Sequence, residues 1–204
     1  MHLATKARNV LRGVVQAYGS QRLKKRLWDR EFGEGRWDCL DATADDCVYP
    51  YLAKYANGGR ILDLGCGSGS TSNELAATAY GAYTGVDISE VALEKARRRS
   101  HANGRAGKNQ YFQSDIITYV PSQPFNVILF RDSIYYVPSG KIADVLNGYA
   151  KYLEMNGVFI VRLASGTSKY KPVVDGIERS FDVVEKHVSM DPDAVVLVFR
   201  PLSN

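Results

Sequence analysis

The densest chemistry in the chain lies in Arg60–Leu75, RILDLGCGSGSTSNEL. An apolar run carries an acid, Asp63, and three glycines follow at Gly65, Gly67 and Gly69, with Cys66 between the first two. Glycines at alternate positions let the chain turn sharply and let a ligand approach bare backbone, because no Cβ stands in the way. Dinucleotide-binding loops space their glycines as GxGxxG and aim a helix N-terminus at a pyrophosphate. Here Ser70 stands where the third glycine of that pattern belongs. A carboxylate two residues before the first glycine opposes a pyrophosphate by like charge and suits a cationic ligand or one carrying an ammonium group. Cys66 reads as a small spacer whose backbone faces the ligand.

Other polar residues recur at the ends of apolar runs: Asp87 in GVDIS, Asp115 in QSDI, and Asp132, Tyr135 and Tyr136 in RDSIYYVP. His2 is terminal, His101 lies in the basic stretch RRRSHANGR, and His187 lies in a strand-like stretch. No His, Asp or Glu grouping has metal-ligand spacing, so no metal is expected. Three cysteines without a CxxC pair make neither a disulfide framework nor a zinc site and fit a reducing compartment.

These residues need elements to hold them. Leu3, Ala7, Val10, Leu11, Val14, Val15 and Tyr18 recur at helical spacing, and ATADDCVYPYLAKYA reads as a second helix-like segment interrupted by Pro50. From Gly59 the pattern alternates: strand RILDLG, helix STSNELAATAY, strand AYTGVD, and helix SEVALEKARRRSHAN with Ser89 as N-cap. Strand NQYFQSD and the doubly apolar strand FNVILFR follow. SGKIADVLNGYAKYLEMNG reads as a helix whose stripe runs from Ile142 to Tyr152 and Leu153, with Gly157 as its C-cap. VFIVRL is the fifth strand, and FDVVEKHVS, the turn MDPDA and VVLVFRP form an antiparallel hairpin. Alternating strands and helices predict a parallel sheet with helices on both faces. In such sheets ligands bind beyond the strands' carboxyl ends, where the strand order reverses.

The pattern DxGxGxG, followed by an acid at the end of each of the next two strands, resembles motifs of the class I S-adenosylmethionine-dependent methyltransferases. The resemblance covers about residues 59–201. It implies an α/β fold, a three-layer α–β–α Rossmann-like sandwich. Its sheet has seven mostly parallel strands and a C-terminal antiparallel hairpin. It further implies a helical lid over residues 1–58 on the acceptor side and a donor-binding core over 59–204. S-adenosylmethionine is the implied methyl donor and S-adenosylhomocysteine the product, with no metal. The glycine loop would seat the donor through Asp63, Gly65, Cys66, Gly67 and Gly69. Asp87 would accept the ribose hydroxyls beside Ile88. Asp115 would face the adenine amino group with Ile116 against the ring, and Arg131 completes the donor set.

The acceptor is expected over RDSIYYVP, where Asp132, Tyr135 and Tyr136 are the catalytic candidates. The motif [DNS]PP[YFW], which seats planar amino groups in nucleic-acid and glutamine methyltransferases of this class, is replaced by RDSI, which disfavours such acceptors. WDREFGEGRWDCL adds an aromatic wall of Trp28, Phe32 and Trp37, with Glu31 and Arg36 among them, and Tyr18 or Trp37 offers a ring to a sulfonium. The expected reaction is methyl transfer to a nitrogen or oxygen of a small molecule. The short connector ASGTSKYKPVVDGIERS suggests an open pocket, and its Lys169, Lys171 and Arg179 suit an anionic or bulky acceptor. Residues 1–30 hold eight Lys/Arg against Asp29 alone, although the whole chain carries only +4. That basic end supports a second reading, docking of a protein or RNA acceptor. A third is a non-catalytic S-adenosylmethionine-binding protein. No run approaches the ~18–20 apolar residues of a membrane span. The cytoplasm is the expected location.

Overall fold

The computed structural model describes residues 12–16, 18–41, 43, 45–190 and 193–202. The expected helix over residues 3–18 falls partly outside them; residues 12–16 are helical. Seven strands form one sheet: β1 (Arg60–Leu64), β2 (Ala82–Asp87), β3 (Asn109–Gln113), β4 (Phe125–Arg131), β5 (Leu153–Ala164), β6 (Asp182–Met190) and β7 (Asp193–Arg200). Their order is β3-β2-β1-β4-β5-β7-β6. β1 to β5 pair in parallel, and β7 pairs antiparallel with both β5 and β6. The tip of the closing hairpin, residues 191–192, lies outside the described residues.

β1 and β4 are buried on both faces, as their largely apolar sequences require. Leu62, Leu64, Ile128 and Phe130 point into one core, and Ile61, Val127 and Leu129 into the other. The first core is roofed by two helices, Ile142–Ala150 through Leu146 and Tyr149, and Lys171–Ser180 through Val174 and Ile177. The second is roofed by Tyr49–Ala56 through Leu52 and Ala56, and by Glu90–Ala102 through Leu93 and Ala96. Within the expected N-terminal lid, Tyr49–Ala56 therefore sits in a helical layer of the sheet. The segment before it crosses the strand tips. The chain leaves β1 toward β2 and β3 and returns on the other side at β4, so the strand order reverses between β1 and β4.

Three local expectations are corrected. Pro50 does not interrupt a helix; it occupies the first turn of Tyr49–Ala56, where its missing N–H costs nothing. The helix after the glycine loop spans only Ser70–Glu74, followed by a 3-10 turn at Ala77–Ala79. Its buried Ser72 and Asn73 side chains donate back to the Gly69 carbonyl, 3.0 and 2.8 Å away. Arg105 and the Tyr80 hydroxyl take the Ser72 carbonyl, and Arg105 also takes that of Leu75. Side chains thus satisfy carbonyls that a longer helix would have used. The helix Ile142–Ala150 stops before Tyr152, and Leu153 begins β5. Gly157 is no helix cap. A Cβ there would lie 2.9 Å from the Glu154 nitrogen and the Phe125 carbonyl, where β4 and β5 slip register.

Candidate active site

A cavity of about 230 Å³ opens over the tips of β1, β2, β3, β4 and β5, roofed by the helix Gln21–Gly33. Lys24, Trp28 and Phe32, four residues apart on that helix, face the cavity. Asp29 fastens the same helix to the core: its Oδ1 accepts from Ser89 Oγ (2.8 Å) and the Val91 amide (3.4 Å). Ser89 caps the helix Glu90–Ala102, as its sequence position predicts.

The glycine loop is pinned to β2, where the amides of Gly65 and Cys66 both donate to the Val86 carbonyl (2.8 and 3.0 Å). Gly65, Gly67 and Gly69 all have positive φ, a region costly for other residues. Their surroundings differ. At Gly65 a Cβ would strike Ser133 Cβ at 2.5 Å, and at Gly69 it would strike Ala96 at 2.8 Å. At Gly67 it would meet only Phe32, at 3.4 Å, on the cavity side. Gly69 does not line the cavity; it lets the helices behind the loop close up.

Two buried carboxylates flank this loop. Asp63 is 1% exposed and accepts a 2.6 Å bond from the Tyr83 hydroxyl on Oδ2, while its Oδ1 is buried without a partner. Burial pushes its pKa up to about 6, against the pull of Tyr83, of the nearby Thr71 hydroxyl and of Arg131. Asp87 accepts from the Gly67 and Ser89 amides, both at 2.9 Å, and burial raises it to about 6 despite those bonds. Cys66 lies buried between them, its thiol pushed up by burial and by both carboxylates. Ile88 lines the cavity. Asp115 forms the turn after β3, accepting from the Ile117 amide at 2.8 Å, and lines the cavity with Ile116. The Tyr149 hydroxyl holds the Ile116 carbonyl at 2.8 Å.

The wall over β4 and β5 is built of charges closed on one another. Arg131 donates to Asp46 (2.8 Å) and to the Tyr49 hydroxyl (3.1 Å). Arg162 pairs with Asp132 and lies 3.4 Å from the same Asp46 carboxylate. Burial works to raise Asp46, but Arg131 and Arg162 hold it below the usual carboxylate range. Asp132 also accepts from the Ala164 amide (2.7 Å) and stands at φ 53°. Burial raises its pKa in spite of Arg162. Aromatic rings complete this end. Tyr135 stacks on Tyr170 (4.1 Å, 4°), Tyr136 meets Tyr135 and Trp28 edge-on, and Trp28 lies 5.7 Å from Trp37. Glu31, buried beneath the two tryptophans, accepts from Arg12 (2.7 and 3.2 Å) and from the Trp37 indole (3.2 Å).

The structure thus brings together on one cavity every residue singled out from the sequence for donor, catalysis or acceptor except Gly69, Tyr18, Glu31, Arg36 and the connector cations; Glu31 and Arg36 line a second cavity instead. Tyr18 is 87% exposed and does not line the cavity. The connector cations lie elsewhere: none of Lys169, Lys171 and Arg179 lines it, and Lys171 pairs with Asp175. Sequence reasoning missed Asp46, Arg162, Thr71, Ser133, Lys24 and Gln16, all on the cavity wall. Arg162 left a signal, a cation inside the apolar run VFIVRL, which demands a buried acid.

A family model described as a methyltransferase domain matches residues 56–193. The chain belongs to the class I S-adenosylmethionine-dependent methyltransferases. Among curated proteins it is 26% identical over 171 residues to 27-O-demethylrifamycin SV methyltransferase of Amycolatopsis mediterranei, covering 80% of this chain and 61% of that one. It is 30% identical over 146 residues to a ubiquinone biosynthesis O-methyltransferase of Actinobacillus pleuropneumoniae, covering 67% and 60%. The chain thus spans about three fifths of the length of these relatives. Its fold is similar to that of the N-methyltransferase NodS of Bradyrhizobium japonicum, solved with S-adenosyl-L-homocysteine. That match has TM-score 0.68 and 18% identity, covering 88% of this chain and 98% of that one.

Proposed function

We propose that this chain transfers a methyl group from S-adenosylmethionine to a nitrogen or oxygen of a small-molecule acceptor. The observation that carries the reading is the buried Asp63 oxygen without a partner, beside a glycine loop whose backbone is bare toward the cavity. An unpaired buried carboxylate is costly, and a cationic ligand relieves that cost. When bound, the donor supplies an activated methyl group on a sulfonium. Asp63 and Arg131 offer opposite charges to its amino and carboxylate groups. Asp87, already anchored by two amides, has lone pairs left for ribose hydroxyls. Asp115 and Ile116 are assigned to the adenine.

On the acceptor side the chain supplies shape more than base chemistry. The carboxylate of Asp132 is bonded to Arg162 and to Ala164, and burial pushes the Tyr135 phenol far above its ordinary range. Those bonds tie up the Asp132 carboxylate, and Tyr135 stays a neutral phenol that cannot accept a proton. The work of Tyr135, Tyr136, Trp28 and Trp37 is to align the acceptor and exclude water, contributions that reach ~7–11 kcal/mol in well-oriented reactions. This suits an amine or an acidic hydroxyl that is already a good nucleophile. The relatives named as a 27-O-demethylrifamycin SV methyltransferase and a ubiquinone biosynthesis O-methyltransferase support a small-molecule acceptor.

Calorimetry with S-adenosylhomocysteine tests the donor site directly. No uptake at millimolar supply would overturn the proposal. Incubation of S-adenosylmethionine with pools of small phenols, acids and amines then tests catalysis, read as S-adenosylhomocysteine formed above the acceptor-free blank. Binding without turnover in any pool would leave a donor-binding protein instead.

A further inference from the structure

A second cavity of about 280 Å³ lies on another face of the lid, between the helical residues 12–16 and Gln21–Gly33. Among the described residues its walls carry four arginines, Arg12, Arg26, Arg30 and Arg36, against one acid, Glu31. Its floor is apolar: Val15, Leu23 and Leu27. Arg12 and Arg36 share the Glu31 carboxylate, at 2.7 and 3.9 Å. Arg26 and Arg30 are exposed, and their side chains have no partner among the described residues. Four guanidinium groups around one carboxylate leave three positive charges in excess among the described residues of the groove.

We infer that this groove is a binding site for a phosphate group, separate from the methyl-transfer cavity. Guanidinium forks match phosphate oxygens two at a time. The apolar floor weakens screening and so strengthens the attraction. Leu23 and Val14, 49% and 50% exposed, lie on the two segments that form the groove and offer apolar surface to whatever carries the phosphate. The carrier is a soluble phosphoester or a lipid headgroup, and the recognition chemistry is the same for both. The site also touches the lid. Arg12 reaches from the groove over the rings of Trp28 and Trp37, 5.6 and 5.4 Å from their centroids, and Glu31 holds the Trp37 indole. These are the chain's only two tryptophans, and both line the methyl-transfer cavity. An anion that draws Arg12 outward therefore registers in tryptophan emission.

The test uses the full chain with inorganic pyrophosphate in one arm and vesicles in the other. The vesicles hold about 30% phosphatidylglycerol in phosphatidylcholine, compared with phosphatidylcholine alone. Saturable pyrophosphate binding with a change in tryptophan emission identifies a soluble phosphoester site, and co-sedimentation with anionic vesicles alone identifies a headgroup site. In either case Arg26→Gln/Arg30→Gln weakens binding at least about tenfold, with S-adenosylhomocysteine affinity and Tm unchanged. Failure of both probes, or equal binding by the double variant, overturns the inference. So does retention of single-stranded RNA when neither probe binds, since that assigns the arginines to a nucleic acid. A loss of S-adenosylhomocysteine binding in wild type would count against the methyltransferase reading and leave the groove assignment standing.

Discussion

The two ends of the main cavity handle charge in opposite ways. Over β1 and β2, Asp63 and Asp87 are buried with raised pKa values, and one oxygen of Asp63 has no partner. Over β4 and β5, Asp46, Arg131, Arg162 and Asp132 pair in charge with one another, although the buried Arg162 Nε, 3.4 Å from Asp46, makes no hydrogen bond, and stacked rings fill the remaining wall. The first end is built to be completed by a charged ligand. The second balances its charges internally, Arg131 alone among them being also assigned to the donor, and selects mainly by shape. Perturbing the first should therefore damage donor binding, and perturbing the second should damage stability.

The most severe expected effect is from Gly67→Val, which places a side chain on the cavity side of the loop. It should remove measurable binding of S-adenosylhomocysteine while the protein still unfolds cooperatively. Next is Arg162→Met, which strands Asp132 and half of Asp46 in a buried setting. A loss of ~3–5 kcal/mol is expected from denaturant unfolding, with donor affinity within about threefold. If donor affinity collapses and stability holds, the two ends are not separate. Asp87→Ala should weaken S-adenosylhomocysteine more than about tenfold by calorimetry, since ribose hydroxyls lose a charged acceptor.

Titration sharpens the contrast. Asp63 and Asp87 sit near 6 in the folded protein, above the ordinary 3.8. Between those values the folded state holds the extra protons, so their effect on stability is most favourable below about pH 4 and declines as pH rises through about 6. Binding of a cationic donor runs the other way, because it needs the carboxylates charged. Affinity for S-adenosylmethionine should fall about tenfold or more from pH 7 to pH 5, while the ligand-free protein gains stability from these two groups. The smallest effect belongs to Lys171→Ala. Its partner Asp175 is on the surface and neither lines the cavity, so turnover should not change.

The same contrast explains what the sequence made legible. The donor end is local. Asp63 and the glycines lie within seven residues, and the acids at the ends of β2 and β3 follow apolar runs that announce themselves as strands. Burial on both faces of β1 and β4 left its mark as mostly apolar sequence. The acceptor end is assembled from remote pieces. Asp46 meets Arg131 across 85 residues, and Trp28 meets Tyr136 from opposite sides of the core motifs. No periodicity records such pairs. The short helix Ser70–Glu74 escaped for the same reason: Arg105 and Tyr80, remote in sequence, take the carbonyls that decide its length.

Asp29 belongs to the roof, yet it also holds the first turn of the helix Glu90–Ala102, two residues beyond Asp87. Lifting the roof away thus parts the Ser89 hydroxyl and the Val91 amide from their carboxylate in the same movement. Access to the cavity and order at the end of β2 are mechanically coupled. Opening far enough to exchange spent donor for fresh costs the protein a fastening at the strand tip assigned to the ribose.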